Sequence, residues 1–136
     1  MNRIFVYGTL KRGFPNHLIL ADARFIGQVR TLEAFPLVVQ GPWFTPAMLP
    51  EPGAGHRVWG ELWEVDNAKF SELDELENLN RPTGYVRELI MVELADKSVE
   101  RVWVYLKPRD RITVIHSEPV ADYQDQRYVP ASKRPR

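Results

Sequence analysis

The sequence predicts an α+β fold: a mostly antiparallel, curved sheet or small barrel with helices at its side. Three observations point there. The strand-like segments are not separated by regular helices, which argues against a doubly wound parallel sheet. Arg57 to Val65 alternates cleanly, with Trp59, Glu61, Trp63 and Val65 on one face and Val58, Gly60, Leu62 and Glu64 on the other. Two long β-rich segments, Tyr85 to Leu94 and Val99 to Leu106, flank the polar turn Ala95-Asp96-Lys97-Ser98 and read as a hairpin.

The remaining elements follow in chain order. Arg3 to Tyr7 is β-branched and aromatic, stops at Gly8, and reads as a buried first strand. Thr9 to Pro15 is a loop, and Asn16 caps a short helix through Ala21. Arg24 to Arg30 alternates around Phe25 and Ile26, with Gly27 at a bulge position. Leu37 to Gln40 reads as a short strand. Gly41 to Gly55 is rich in Pro and Gly yet carries Trp43, Phe44, Met48 and Leu49, so an ordered irregular loop or a lid is expected. Asp66 is placed to cap a helix from Asn67 to about Asn78. Ile112 to Ile115 reads as a weak strand.

The chain has 136 residues, the length of one domain. We place that domain at residues 1–123, followed by a polar, basic tail at 124–136 whose end is expected to be solvated. With 18 Lys+Arg against 18 Asp+Glu, there is no net charge to grip nucleic acid or an anionic membrane. With no cysteine there is no disulfide framework, thiolate metal site or cysteine nucleophile. His17, His56 and His116 form no ligand pair at metal-binding spacing, so no metal is expected. The apolar stretch at the N-terminus is too short for a secretory signal. The longest uncharged stretch, Ala34 to Pro50, contains four prolines and cannot be one spanning helix. The expected location is the cytoplasm.

Two elements carry candidate chemistry. The first is the acidic helix. With Phe70 as origin and about 100° per residue, Leu73 falls at about 300°, Leu76 at about 240° and Glu77 at about 340°. Glu72 and Glu75 fall on the opposite face and Asp74 at the edge. Glu77 is thus the one carboxylate inside the apolar stripe, where burial raises its pKa toward the range useful for proton transfer. The same residue at a frayed helix end would reach water, or pair with Arg81 or Arg87. The second element is Tyr7-Gly8-Thr9-Leu10, directly after the first strand. Free N–H groups in such a turn form a small anion-binding nest; the alternative is an ordinary strand-ending turn. Its glycine spacing matches neither a Walker loop nor a dinucleotide fingerprint.

Together these residues resemble a known family. Val6-Tyr7-Gly8-Thr9-Leu10-Lys11-Arg12-Gly13 with Asn16 is similar to the opening of the γ-glutamylcyclotransferase-like (AIG2-like) family. In order there follow Phe35-Pro36-Leu37-Val38, Pro52-Gly53 with Gly55-His56-Arg57-Val58, Gly60 to Asp66, Leu73-Asp74 with Glu77, and Tyr85 with Arg87. The resemblance is greatest to the γ-glutamylamine cyclotransferase branch and spans about Arg3 to Leu106. It implies a small mixed β-barrel flanked by helices. It also implies cleavage of a small-molecule γ-glutamyl amide to 5-oxoproline and a free amine, without cofactor, nucleic acid or membrane. Carried over by position, Tyr7, Gly8, Thr9 and Leu10 become the substrate-binding loop and Glu77 the general base, with Tyr85 lining the cavity. The backbone amides of the loop would meet negative charge on the γ-carbonyl oxygen or the α-carboxylate. Two departures stand out: Asn78 follows Glu77 where the family often has glycine, and Leu79 to Gly84 differs from the amine-specific branch. The second leaves open whether the substrate is a γ-glutamylamine, a γ-glutamyl amino acid or a related small amide; the alternative of another class is a non-catalytic barrel that binds a small carboxylate, with Glu77 as a recognition group.

Overall fold

The computed structural model describes residues 1–135. Seven strands and one α-helix follow in the order β1 (Asn2–Val6), β2 (Arg24–Phe35), β3 (Leu37–Gln40), β4 (Thr45–Met48), β5 (His56–Val65), α1 (Asn67–Leu76), β6 (Val86–Glu93) and β7 (Val99–Leu106). Three single-turn 3₁₀ segments lie at His17–Leu20, Arg109–Arg111 and Ala131–Lys133. Five strands close into a barrel in the order β1-β5-β2-β6-β7, and β3 and β4 form a separate two-stranded sheet. All barrel pairs are antiparallel except β1 with β7, where Ile4 faces Trp103 and Phe5 faces Val104 in parallel. This one parallel seam makes the barrel mixed, as the family resemblance implied.

The alternation of β5 is divided between two cores. Val58 and Leu62 point into the barrel with Phe5, Val29, Ile90, Val92, Val102 and Val104. Trp63 and Val65 point outward and pack with Ile4, Val6, Phe70 and Leu73, which seat α1 on the wall. A Cβ at Gly60 would run into the carbonyl oxygen of Val6 and the ring of Phe5, so a glycine there lets β1 cross close to β5. A ten-residue helix is too short to hold itself in water. Burial of Phe70 and Leu73, at about 1.5–3 kcal/mol each, and the Asp66 cap, which accepts from the Lys69 amide at 2.8 Å, supply what propensity does not.

Several boundaries differ from the sequence reading. The first helix shortens to the 3₁₀ turn His17–Leu20, and Asn16 does not cap it. The bulge expected at Gly27 is present as a register shift between Phe25 and Gly27, but β2 runs on to Phe35 through a second shift between Arg30 and Ala34. There the Thr31 hydroxyl replaces ladder partners, donating to the Glu33 carbonyl at 2.7 Å and accepting from the Val58 amide at 2.8 Å. The segment 41–55 is not an irregular loop throughout: Thr45–Met48 is a strand paired with Leu37–Gln40. Ile112 to Ile115 is not a strand. It makes one bridge, Ile115 to Gln40. The ladder beside β3 stops because the Val39 amide donates to the Ser117 hydroxyl at 3.0 Å, and Pro119 has no N–H to offer. Among the described residues no helix is long and apolar enough to cross a membrane.

Candidate active site

One cavity of about 680 Å³ opens where the end of β1, the end of α1 and the β3–β4 sheet meet. Tyr7, Gly8, Thr9, Leu10, Glu77 and Tyr85 all line it, so the structure brings every residue singled out in the sequence to one place.

Glu77 is the C-cap of α1 rather than part of its last regular turn. Its direction is set by the way the helix stops. The Asn78 amide donates to the Glu75 carbonyl at 3.1 Å and the Leu79 amide to the Asp74 carbonyl at 3.0 Å, the paired bonds of a Schellman turn. Such a turn needs a left-handed residue after the cap, and Asn78 has φ 50°. Asparagine is, after glycine, the residue that tolerates this conformation best. The departure from the family's glycine is therefore conservative in backbone terms. Leu79 then folds back onto the cluster containing Leu73, and the Tyr85 amide donates to the Glu77 carbonyl at 3.1 Å, tying the cap to the start of β6. We predict that Asn78→Val costs about 1–2 kcal/mol by forcing a branched residue into left-handed backbone. Asn78→Gly should not destabilise, because glycine adopts left-handed backbone without steric cost. Denaturant titration of the two variants checks both.

The Glu77 side chain lines the cavity and accepts no hydrogen bond from the described residues. Its surroundings are dense enough that burial raises its pKa from 4.5 to about 7, against a smaller opposing pull from Lys107. Its position at the negative end of the helix dipole acts in the same direction as burial. Arg87, a partner weighed for Glu77 in the sequence, is taken by Asp74 through two contacts of 3.0 and 2.8 Å. Asp74 also accepts from the Tyr105 hydroxyl at 2.6 Å. The edge carboxylate thus absorbs the cation and leaves Glu77 without a counter-ion in contact among the described residues.

Across the cavity the chain turns at Gly8. A Cβ there would overlap the Pro46 ring, so glycine is required by the approach of β4 rather than by an unusual φ. The amides of Gly8, Thr9 and Leu10 have no acceptor among the described residues. Tyr7 and Tyr85 line the cavity, and their hydroxyls bond to the backbone of its walls. The Tyr7 hydroxyl donates to the Tyr105 carbonyl at 2.7 Å and accepts from the Met48 amide at 3.2 Å. The Tyr85 hydroxyl donates to the Pro46 carbonyl at 2.5 Å. Burial pushes both phenols well above the ordinary tyrosine pKa, so they stay neutral and fasten the β3–β4 sheet to the barrel.

Other lining residues were not legible in the sequence. Lys107 and Arg111 come from the segment after β7, and Tyr128 and Arg134 from the expected tail. The end of the chain packs on the cavity: the Val129 amide donates to the Trp43 carbonyl at 3.0 Å, and the Asn16 side chain joins the Thr9 and Tyr128 hydroxyls at 2.9 Å each. Trp43 and Pro42, in the turn between β3 and β4, complete this wall. The histidines are dispersed: the His17 ring meets the Leu10 carbonyl, the His116 ring meets the Gly41 carbonyl, and His56 is exposed.

A closed mixed barrel with one helix docked outside and a cavity at the helix end defines an AIG2-like domain. The chain belongs to the family described as gamma-glutamyl cyclotransferase, AIG2-like, which it matches over residues 4–127. It is 39% identical over 142 residues to gammaglutamylaminecyclotransferase of Bos taurus, covering 96% of this chain and 83% of that one. With the Homo sapiens protein of that name the identity is 43% over 101 residues, 71% of this chain and 65% of that one. The crystal structure of an AIG2-like protein from Mus musculus superimposes with a TM-score of 0.85 at 33% identity, covering 98% of this chain and 99% of the other.

Proposed function

We propose that this chain is a γ-glutamylamine cyclotransferase that releases 5-oxoproline and a free amine, such as lysine from γ-glutamyl-ε-lysine. The observation that carries this reading is the pairing, across one cavity, of an unpartnered carboxylate titrating at about 7 with three unpartnered backbone amides.

The reaction is an intramolecular acyl transfer. The substrate's α-nitrogen attacks its own γ-carbonyl carbon, a new C–N bond closes the five-membered ring, and the original amide C–N bond breaks. The nucleophile is part of the substrate, so no side chain has to form a covalent intermediate. Glu77, ionised above its pKa of about 7, takes a proton from the α-ammonium and delivers it to the departing amine. The amides of Gly8, Thr9 and Leu10 face the carbonyl oxygen as negative charge develops on it. The enclosed cavity holds the glutamyl chain folded, with nitrogen and carbonyl carbon within about 3–3.5 Å of each other. Tyr7 and Tyr85 fasten the walls of the cavity through their bonds to Tyr105, Met48 and Pro46.

The test is a panel of γ-glutamyl donors with 5-oxoproline quantified directly. Release from γ-glutamyl-ε-lysine, exceeding that from γ-glutamyl amino acids, is expected. Preference for the amino-acid donors would move the substrate class and keep the chemistry. Absence of 5-oxoproline from every donor would overturn the reading.

A further inference from the structure

Lys107 is the feature of the cavity that the reaction scheme above does not use. It follows β7 directly, and its amide donates to the Met48 carbonyl at 2.9 Å, which fixes the backbone against β4. The residue is only 8% exposed, yet its ammonium forms no hydrogen bond and no ion pair among the described residues. It lines the cavity, and its nearest named contact is the ring of Tyr85, with Nζ 5.2 Å from the centroid. A buried cation is costly unless an anion or several acceptors meet it. The other cations of the cavity are already engaged. Arg111 donates to the Gly84 carbonyl at 3.2 Å. Arg134 donates to the Val129 carbonyl at 2.9 Å and lies 5.6 Å from the rings of both Trp43 and Tyr128.

Glu77 and Lys107 both line the cavity, Glu77 from the end of α1 and Lys107 from the end of β7. They form no ion pair with each other, so both charges are left for a ligand that carries an ammonium and a carboxylate. The head of a γ-glutamyl substrate is such a group: an ammonium and a carboxylate on one tetrahedral carbon. With the ammonium against Glu77, the carboxylate is presented to the neighbouring cation. We infer that Lys107 is the specificity residue for the α-carboxylate of the γ-glutamyl group. The inference rests on the cyclotransferase reading, and it assigns the γ-carbonyl oxygen to the Gly8–Leu10 amides and the carboxylate to Lys107.

The experiment compares ligands with and without the carboxylate. 5-Oxoproline and 2-pyrrolidinone differ only in that group, as do a γ-glutamyl amide and the matching 4-aminobutanoyl amide, which cyclises to 2-pyrrolidinone. Lys107→Met keeps length and apolar bulk and removes the charge. It should weaken 5-oxoproline binding about 10- to 100-fold, the range for a hydrogen bond to a charged group, and leave 2-pyrrolidinone binding within about twofold. In turnover measured well above the Glu77 titration, where the lost Lys107 charge no longer changes how much of Glu77 is ionised, kcat/KM for the γ-glutamyl amide should fall by a similar factor, mainly through KM, with the 4-aminobutanoyl amide little affected. Lys107→Arg should restore part of the loss, because the charge is retained. Equal loss for both ligands, or loss for neither, overturns the assignment of Lys107. If wild-type protein binds no 5-oxoproline and turns over no γ-glutamyl donor, the cyclotransferase reading fails instead, and Lys107 with it. Binding of 2-pyrrolidinone also shows that the variant is folded.

Discussion

Glu77→Gln is expected to lower kcat for 5-oxoproline release about 10²- to 10⁴-fold, the range for loss of a general acid–base group. Glutamine matches glutamate in shape and leaves no partner orphaned, since the Glu77 carboxylate accepts no hydrogen bond from the described residues. The loss should therefore report proton transfer and not a collapsed site. No neighbouring carboxylate is positioned to substitute: Asp74 is held by Arg87 and by the Tyr105 hydroxyl, and Glu75 is exposed at the mouth. The pH profile gives an independent readout. The base must be ionised to accept the ammonium proton, so with a pKa of about 7 the wild-type kcat/KM should rise about tenfold per pH unit below that value and level off above it. The residual rate of the glutamine variant should lack that inflection. A variant rate within about tenfold of wild type, with the inflection kept, would remove Glu77 from the mechanism.

The sequence made the two halves of the site legible for different reasons. The Tyr7–Leu10 loop follows directly from a strand that ends at a glycine, so its place beside the barrel mouth is fixed by local order. Glu77 was found by helical periodicity, yet α1 ends at Leu76 and the inward direction of Glu77 comes from the Schellman turn at Asn78. Periodicity gave the correct face because the cap residue still continues the helical path. Asp74, placed at the edge of the stripe, turned out to matter through what it removes, namely Arg87. Lys107, Tyr128 and Arg134 were not recoverable in this way, and Asn16, part of the opening motif, gave no sign of its bond to Tyr128. They reach the cavity from segments far apart in the chain, through barrel closure and docking of residues 128–134. No local pattern encodes such a meeting. The same limit explains the strand Thr45–Met48: its proline and those around it read as loop, but at the edge of a two-stranded sheet Pro46 needs no ladder donor.

Glu77→Gln should also make the protein more stable at neutral and alkaline pH, with a difference that vanishes in acid. In the unfolded chain the carboxyl titrates at its ordinary 4.5, and in the fold at about 7. Below the unfolded value both states are protonated and Glu77 contributes no pH-dependent penalty. Between the two values the unfolded chain has released the proton and the fold retains it, so raising the pH favours unfolding by about 1.4 kcal/mol per unit. Above about 7 both states are ionised and the deficit stays at about 3 kcal/mol. Glutamine carries no such term. Its advantage should therefore grow from near zero at about pH 4 to about 3 kcal/mol by about pH 8. Ion pairs elsewhere, such as Asp125 with Arg127 and Glu51 with Arg109, are common to both proteins and cancel in the comparison. Paired denaturant titrations at several pH values, with unchanged m, measure the difference directly. A gap that does not vary with pH would mean that Glu77 is solvated in the fold. It would then titrate as an ordinary surface carboxylate, too acidic to exchange protons efficiently near neutrality. Stability and catalysis thus test the same quantity from opposite sides: burial that destabilises the charged carboxylate is what makes it a competent base.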